Sequence, residues 1–364
     1  MKITCATEYI REAVITTERF TGRHITLPIL SYILFDTKDK KLSLHGTNLE
    51  TGIEYTIPGK VQRLGTAAAP AKHLSQILQS IHDDTITIEA KQHQLTLSTT
   101  SSEVTIIGLN PSDFPTLPVI QGEYTFRVSG AHLREALGQV LPAVATSDLK
   151  PELAGVFIAV APGTITFTAT DSFRLAEKVL EHPEGAADTT SFIVPSRTIH
   201  EVLRSLPETE TVMVTIGEHQ VVFEWAGIRI LSRLIDGTYP PYQNLFPKTY
   251  ETSITVEREA FLQKIRLAAV FSSRLNDVTL KLSSQGLEVS TANTETGTTT
   301  SRLPAKVHGQ PNTVVFNYRY LLDGVETVEG REVLLNANGA AGPTLIQGPS
   351  DSSYRYLLMP IRSV

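Results

Sequence analysis

The chain has 364 residues, 41% hydrophobic and 19% charged, which is enough apolar material for two or three domains with buried cores. Its formal net charge of −6 argues against adhesion of the whole molecule to nucleic acid or an anionic membrane, but leaves room for a basic lining inside an acidic shell. The single cysteine, Cys5, excludes an intramolecular disulfide framework and cysteine-rich zinc sites, and it suits a reducing compartment.

The stretch MKITCATEYIREAV has no long apolar core, so no secretory signal is expected. No run approaches the ~18 apolar residues of a membrane span, and the expected compartment is the cytoplasm. The first predicted helix covers Tyr9–Val14, YIREAV. An alternating strand follows, Leu42-Ser43-Leu44 into Gly46-Thr47-Asn48. Pro70–Ile81, PAKHLSQILQSI, sets Leu74, Ile77, Leu78 and Ile81 on one helical face. Pro70 is expected at the first helical position, where its missing N–H costs nothing. Leu109–Pro118, LNPSDFPTLP, reads as an extended loop.

The series then begins again. His132–Leu137, HLREAL, copies the first helix, and Val156–Val160 reads as a strand. Ile165-Thr166-Phe167 runs into Ala169-Thr170-Asp171. Pro195–Leu206, PSRTIHEVLRSL, puts Ile199, Val202, Leu203 and Leu206 in the four helical slots. Strands over Thr211–Ile216 and Val221–Trp225 lead to Leu234–Pro247, LIDGTYPPYQNLFP, where Pro240 stands 125 residues after Pro115. A third, weaker copy has FLQKIR at Phe261–Arg266 and Leu287-Glu288-Val289 leading into Thr291-Ala292-Asn293. Its second helix is NYRYLLDGVETV, Asn317–Val328, with Leu321, Gly324, Val325 and Val328 in the slots. Offsets are 125 and 122 for the second helix, and 123 and 245 from Asn48. Blocks repeating in register predict three tandem units, 1–121, 122–247 and 248–364. Each is expected to be α+β, with two amphipathic helices on antiparallel sheets.

Asp171-Ser172-Phe173-Arg174 offers an acid, a hydroxyl, a ring and a guanidinium together. An enzyme, a hydrolase using Asp171 and Ser172, would need a base brought near by the fold. The sequence has no GxSxG elbow, P-loop, HExxH or dinucleotide fingerprint. Ser147 and Lys150 form an isolated SxxK pattern, read as a structural loop. The ten histidines lack close metal-ligand spacing, so neither a metal nor a cofactor is expected. Asn48 and Asn293 hold the place of Asp171, so a strand-ending turn is the shared role. Only the second copy continues Phe-Arg-Leu, and special function is expected there. A structural repeat protein forming open-ended polymers is another reading; a closed dimer would exclude it.

The repeats together with GTNLE, ATDSFRLA, LIDGTYPPYQ and LMPIRSV resemble the bacterial sliding clamp family, the beta subunit of DNA polymerase III. The resemblance covers the whole chain. It implies a DNA clamp fold and a ring-forming head-to-tail homodimer that encircles duplex DNA without reading sequence. It also implies a non-enzymatic processivity factor tethering the replicative DNA polymerase, clamp loader and repair proteins. Their short linear motifs, such as Gln-Leu-x-Leu-Phe, would enter a hydrophobic pocket. Carried over by motif, that peptide-binding pocket comprises Leu153, Thr170, Ser172, Phe173, Arg174 and Leu175, with Pro240 and Leu245 from the closing loop. Pro343, Leu357, Leu358, Met359, Pro360, Ile361 and Arg362 complete it. The resemblance implies DNA-facing basic side chains in the loop of Arg23; Lys72, Arg197 and Arg319, at a common place after the helix start in each repeat, are the other expected DNA-binding residues, although Glu12, Glu135 and Glu201 lie on helices too. Dimer contacts are expected within Lys72–Ile81, Ile106–Leu109, Phe271–Leu275 and Thr296–Arg302. The family often has glycine and histidine where this chain has Ser172 and Phe173, and here Ser363-Val364 follows Arg362.

Overall fold

The computed structural model describes residues 1–364 apart from 23, 39–40, 119, 121–123, 148, 182–188 and 362–364. Among the described residues there are six α-helices: α1 Thr7–Glu18, α2 Ala71–Ser80, α3 Gly130–Val140, α4 Ser196–Ser205, α5 Arg258–Ala269 and α6 Tyr318–Glu326. They fall on the six amphipathic segments of the sequence. In α1 the buried side chains include Ile10, Ala13, Val14 and Thr17, the expected one-face spacing. One expectation fails. Pro70 is the N-cap of α2, and Pro195 is the last residue of a strand, so neither opens its helix. Each proline ends a strand at the edge of its sheet, Gly65–Pro70 or Thr190–Pro195, where a missing N–H breaks no ladder bond.

The chain forms two compact units, Met1–Ala131 with His200–Leu234, and His132–Ile199 with Ile235–Val364. Each therefore draws on more than one repeat. The first unit contains a five-stranded and an eight-stranded sheet. In the larger sheet, Thr51–Ile57 pairs antiparallel with Ile228–Arg233, with Ile53 opposite Ile230 and Gly52 opposite Leu231. Ile10 and Val14 of α1 and Leu74 and Leu78 of α2 share one apolar core with Ile3, Phe35 and Ile88. Each such side chain contributes about 1.5–3 kcal/mol on burial. Arg11 locks the helices together by donating to the carbonyls of Leu78 (2.9 Å) and Ile81 (2.6 Å), at the negative end of α2.

The second unit contains a nine-stranded and a four-stranded sheet. In the larger one, Arg174–Glu181 pairs antiparallel with Tyr354–Leu358, with Leu175 opposite Leu357. Helix α5 buries Phe261, Leu262 and Ile265, and α6 buries Leu321, Gly324 and Val325. Arg258 repeats the device of Arg11, donating to the carbonyls of Glu326 (3.1 Å), the last residue of α6, and Val328 (3.2 Å), just beyond it.

A charge cluster on the smaller sheet of the first unit gives a pH prediction. Glu89 bonds Lys91 (2.8 Å), Lys2 (3.1 Å) and Arg63 (3.1 Å). Hydrogen bonds from these three, Lys91 first, pull its pKa down to about 2. An unfolded glutamate titrates near about 4.3, so the contribution of Glu89 is complete above that pH and is lost as the pH falls towards about 2. The melting-temperature difference between wild type and Glu89→Gln, followed by circular dichroism, is expected to vanish across that window. A difference that persists at the acid end removes Glu89 from the acid sensitivity of the fold.

Candidate functional site

The strand Thr164–Thr170 ends in the turn that opens the segment Asp171-Ser172-Phe173-Arg174. Asp171 Oδ1 accepts from the N–H groups of Phe173 (2.9 Å) and Arg174 (3.0 Å). Thr170 Oγ1 donates to the Arg174 carbonyl (2.6 Å) and accepts from the Ser172 N–H (3.2 Å). Ser172 has φ of +78°, a left-handed conformation that a glycine adopts without strain. The turn at Asn48 is built the same way. Asn48 Oδ1 accepts from Glu50 (3.0 Å) and Thr51 (2.7 Å), and Thr47 Oγ1 donates to Thr51 (2.9 Å) and accepts from Leu49 (3.0 Å). Leu49 has φ of +76°. The third copy is one residue longer: Asn293 pairs with Gly297, where the positive φ of +124° falls. Asp171 is thus a turn former. Ser147 is one as well, accepting from the Leu149 N–H at 3.3 Å.

The second copy adds a clamp. Arg174 Nε donates to Asp171 Oδ2 (3.0 Å), its Nη1 donates to Asp323 of α6, and its guanidinium lies 4.2 Å from the centre of the Tyr320 ring. Burial opposes the charge, but Tyr356, Asp323 and Asp171 more than offset it, so the Arg174 pKa lies above its ordinary value. The Phe173 ring, 61% exposed, stacks at 6.5 Å on the same tyrosine.

Strand alternation sends the next residue to the other face. Leu175 and its partner Leu357 join Leu153, Tyr239, Tyr242 and Leu345 in one apolar cluster. Phe157 stacks on Tyr239 at 4.6 Å, and Thr168 Oγ1 donates to the Tyr242 hydroxyl at 2.8 Å. Arg355 closes one end of this cluster, bonded to Glu177 and 4.1 Å over the Phe246 ring. Pro240 and Leu245 are exposed beside the cluster; Pro343, Met359 and Ile361 are half-buried; Thr170 and Pro360 are buried. Leu358 is fully buried opposite Arg174, away from Leu357. The Met359 N–H donates to the Phe173 carbonyl (2.9 Å), and the Ile361 N–H to that of Val315 (2.8 Å). Arg362 lies outside the described residues. Sequence reasoning missed Tyr239, Tyr242 and Phe246, whose signal was the aromatic content of TYPPYQNLF, and Tyr320, whose signal was NYRY.

Lys72, Arg197 and Arg319 are the exposed second residues of α2, α4 and α6, while Arg23 lies outside the described residues. The helix acids are engaged within the fold. Glu135 is bonded to Lys178 at 2.5 Å, and Glu201 bridges Arg19 (2.8 Å) and Arg204 (3.0 Å).

Three family models match in succession. They are the N-terminal domain of the DNA polymerase III beta subunit over residues 1–118, its central domain over 127–241 and its C-terminal domain over 243–362. The chain belongs to the DNA polymerase III beta subunit family, the bacterial sliding clamps. The Synechococcus elongatus beta sliding clamp is 28% identical, covering 100% of this chain and 99% of its own length. The Bacillus subtilis clamp is 28% identical with both chains fully covered, and its crystal structure matches with a TM-score of 0.96. A Pseudomonas aeruginosa clamp solved with bound griselimycin, 25% identical, matches over 100% of both chains with a TM-score of 0.95. The chain has a three-domain sliding-clamp fold of helices and sheets and the role of a processivity clamp in DNA replication. Its family is non-catalytic and implies DNA and polymerase as partners. Among the described residues no helix is long and apolar enough to cross a membrane.

Proposed function

We propose that two copies associate head to tail in a ring around duplex DNA in the cytoplasm. In this reading the domains are 1–121, 122–247 and 248–364, each built on two helices. A pocket on each copy receives short linear motifs of the replicative polymerase, clamp loader and repair proteins. The observation that carries the reading is the pairing of Arg174–Glu181 with Tyr354–Leu358, which joins Leu175 and Leu357 with Leu153 in one apolar cluster flanked by exposed Phe173, Pro240 and Leu245. Leucine and phenylalanine anchors suit such a surface, and Met359 supplies an adaptable rim. The griselimycin held by the Pseudomonas aeruginosa clamp supports ligand docking in this family.

Support for the ring comes from two sheet edges. Glu103–Ile107 is an edge strand with Ile107 76% exposed, and Gly297–Leu303 is an edge strand of the four-stranded sheet. Unpaired edges invite strand addition, and one such pair, repeated by two-fold symmetry, closes a dimer. Multi-angle light scattering is expected to give the mass of two chains for wild type and of one chain for Ile107→Asp. A polymer series, or a variant that remains dimeric, contradicts the proposed interface.

For DNA, the supporting feature is the repeated cation at the second residue of α2, α4 and α6. Neutralising Lys72, Arg197 and Arg319 together removes three cations from each of the two copies, and should lower the slope of log affinity against log salt by about five, equally for any duplex sequence. An unchanged slope on linear duplex removes these residues from the DNA path.

A further inference from the structure

We infer that Glu103 and Arg302 select the partner strand where two copies meet, as an ion pair between copies whose polarity is the reverse of that at the two strand junctions inside the chain. The inference rests on the head-to-tail ring proposed above.

Each unit contains one internal junction, and the two are built alike. The last strand of a hairpin pairs antiparallel with the strand that leaves the Asn or Asp turn: Ile228–Arg233 with Thr51–Ile57, and Tyr354–Leu358 with Arg174–Glu181. The third strand of each kind is a sheet edge. Glu103–Ile107 is the hairpin strand of the first repeat. Just after it, the Gly108 N–H donates to the His93 carbonyl at 2.7 Å, as the Leu234 N–H donates to that of His219 at 2.9 Å, both residues standing 126 further on. Gly297–Leu303 is the strand after the turn in the third repeat; it opens 123 residues after Arg174, which itself stands 123 after Thr51. Applied to these two edges, the common register sets Thr105 opposite Thr298 of a second copy, where Leu357 faces Leu175 and Leu231 faces Gly52 inside the chain. It sets Glu103 opposite Thr300.

The charges change sign at this place. Inside the chain an arginine on the hairpin strand stands opposite a glutamate on its partner, Arg229 opposite Glu54 and Arg355 opposite Glu177. In the second unit the pair is bonded at 3.0 Å. Between copies the hairpin strand carries the acid, Glu103, and the cation is Arg302, diagonal to it on the face of Thr300. Both side chains are exposed, and diagonal neighbours across a ladder lie within reach of long side chains. Arg302 Nε donates to Glu288 at 3.0 Å, and its outer nitrogens carry no hydrogen bond among the described residues. A guanidinium can serve two carboxylates, as Arg174 serves Asp171 through Nε and Asp323 through Nη1. Laid against Thr51–Ile57 or Arg174–Glu181 in the same register, Glu103 would meet Glu54 or Glu177, and like charges directly opposite are destabilising. The reversal lets the two edges accept each other and makes the first reject the other strands of its partner's kind.

A charge swap tests this. Glu103→Arg and Arg302→Glu each place like charges at both junctions of their own ring, and each is expected to raise the dimer dissociation constant about tenfold in sedimentation. Mixed in equal amounts, the two variants set opposite charges at both junctions. Dimers holding one chain of each should regain wild-type affinity and exceed the statistical share in native mass spectrometry, and about 1 M salt should erase the preference for them. Variants that self-associate as tightly as wild type, a mixture at the statistical share, or a preference unchanged by salt would each overturn the inference; a dimeric wild type then leaves the ring reading standing. A wild type that stays monomeric removes the ring and this inference together.

Discussion

Met359→Asp is expected to abolish binding of a Gln-Leu-x-Leu-Phe-type peptide while the chain keeps its fold and oligomeric mass. Met359 is half-buried just past the strand Tyr354–Leu358, and its fixed contact is a backbone one, to the Phe173 carbonyl. An aspartate retains that hydrogen bond. It places a carboxylate where apolar peptide side chains must exclude water, and no cation is freed to meet it, since Arg174 already serves Asp171 and Asp323. A loss of about 3 kcal/mol, more than a hundredfold in affinity, is the scale of a central interface position. Leu175 is a poorer choice for the same experiment. It is 2% exposed within the Leu153–Tyr242–Leu357 cluster, so truncation to alanine would cost about 2–5 kcal/mol of fold stability and confound the reading. Anisotropy titration decides the matter, and undiminished binding by Met359→Asp would place the partner site elsewhere.

The second large effect is expected at Gly324. A Cβ there would stand 2.5 Å from two ring carbons of Tyr356. Tyr356 cannot yield, being fully buried with its hydroxyl donating to the Tyr320 carbonyl at 2.8 Å. Gly324→Val must therefore push α6 away from the strand Tyr354–Leu358, at a cost of about 3 kcal/mol or more. The helix would carry Tyr320 and Asp323 with it, which removes the aromatic base and one carboxylate from Arg174. Lower stability in urea unfolding, together with weaker motif binding at temperatures where the variant is still folded, is the expected pair of results. Full stability would show that the helix has slack the packing does not reveal.

Gly324 also shows how far the sequence could be read. A glycine in a slot filled elsewhere by Ile77 and Val202 was visible as an oddity of the repeat; the ring that demands it lies 32 residues on, in a strand whose neighbour no periodicity names. The helices were legible because each carries its own four-residue face. The turn at Asp171 was legible because Asn48 repeats it. The sheet partners were not, because period-two alternation says which face of a strand is buried but not which strand lies beside it. The same limit hid the contact of Arg174 with Asp323. Prolines in the closing loop marked chain outside the α-helices and strands, although a 3-10 turn over Gln243–Leu245 interrupts its extended course, and the burial of Tyr239 and Tyr242 depends on Leu153, Leu175 and Leu357 meeting there.

The eight-stranded sheet has a consequence for how the chain comes off the ribosome. Thr51–Ile57 lies inside that sheet only once Ile228–Arg233 has been made. At about 5–20 residues per second, the earlier strand waits roughly ten to thirty seconds with one ladder edge open. Nascent chains of this length are therefore a window for misassociation, and cutting the gene at the repeat boundary would make that window permanent.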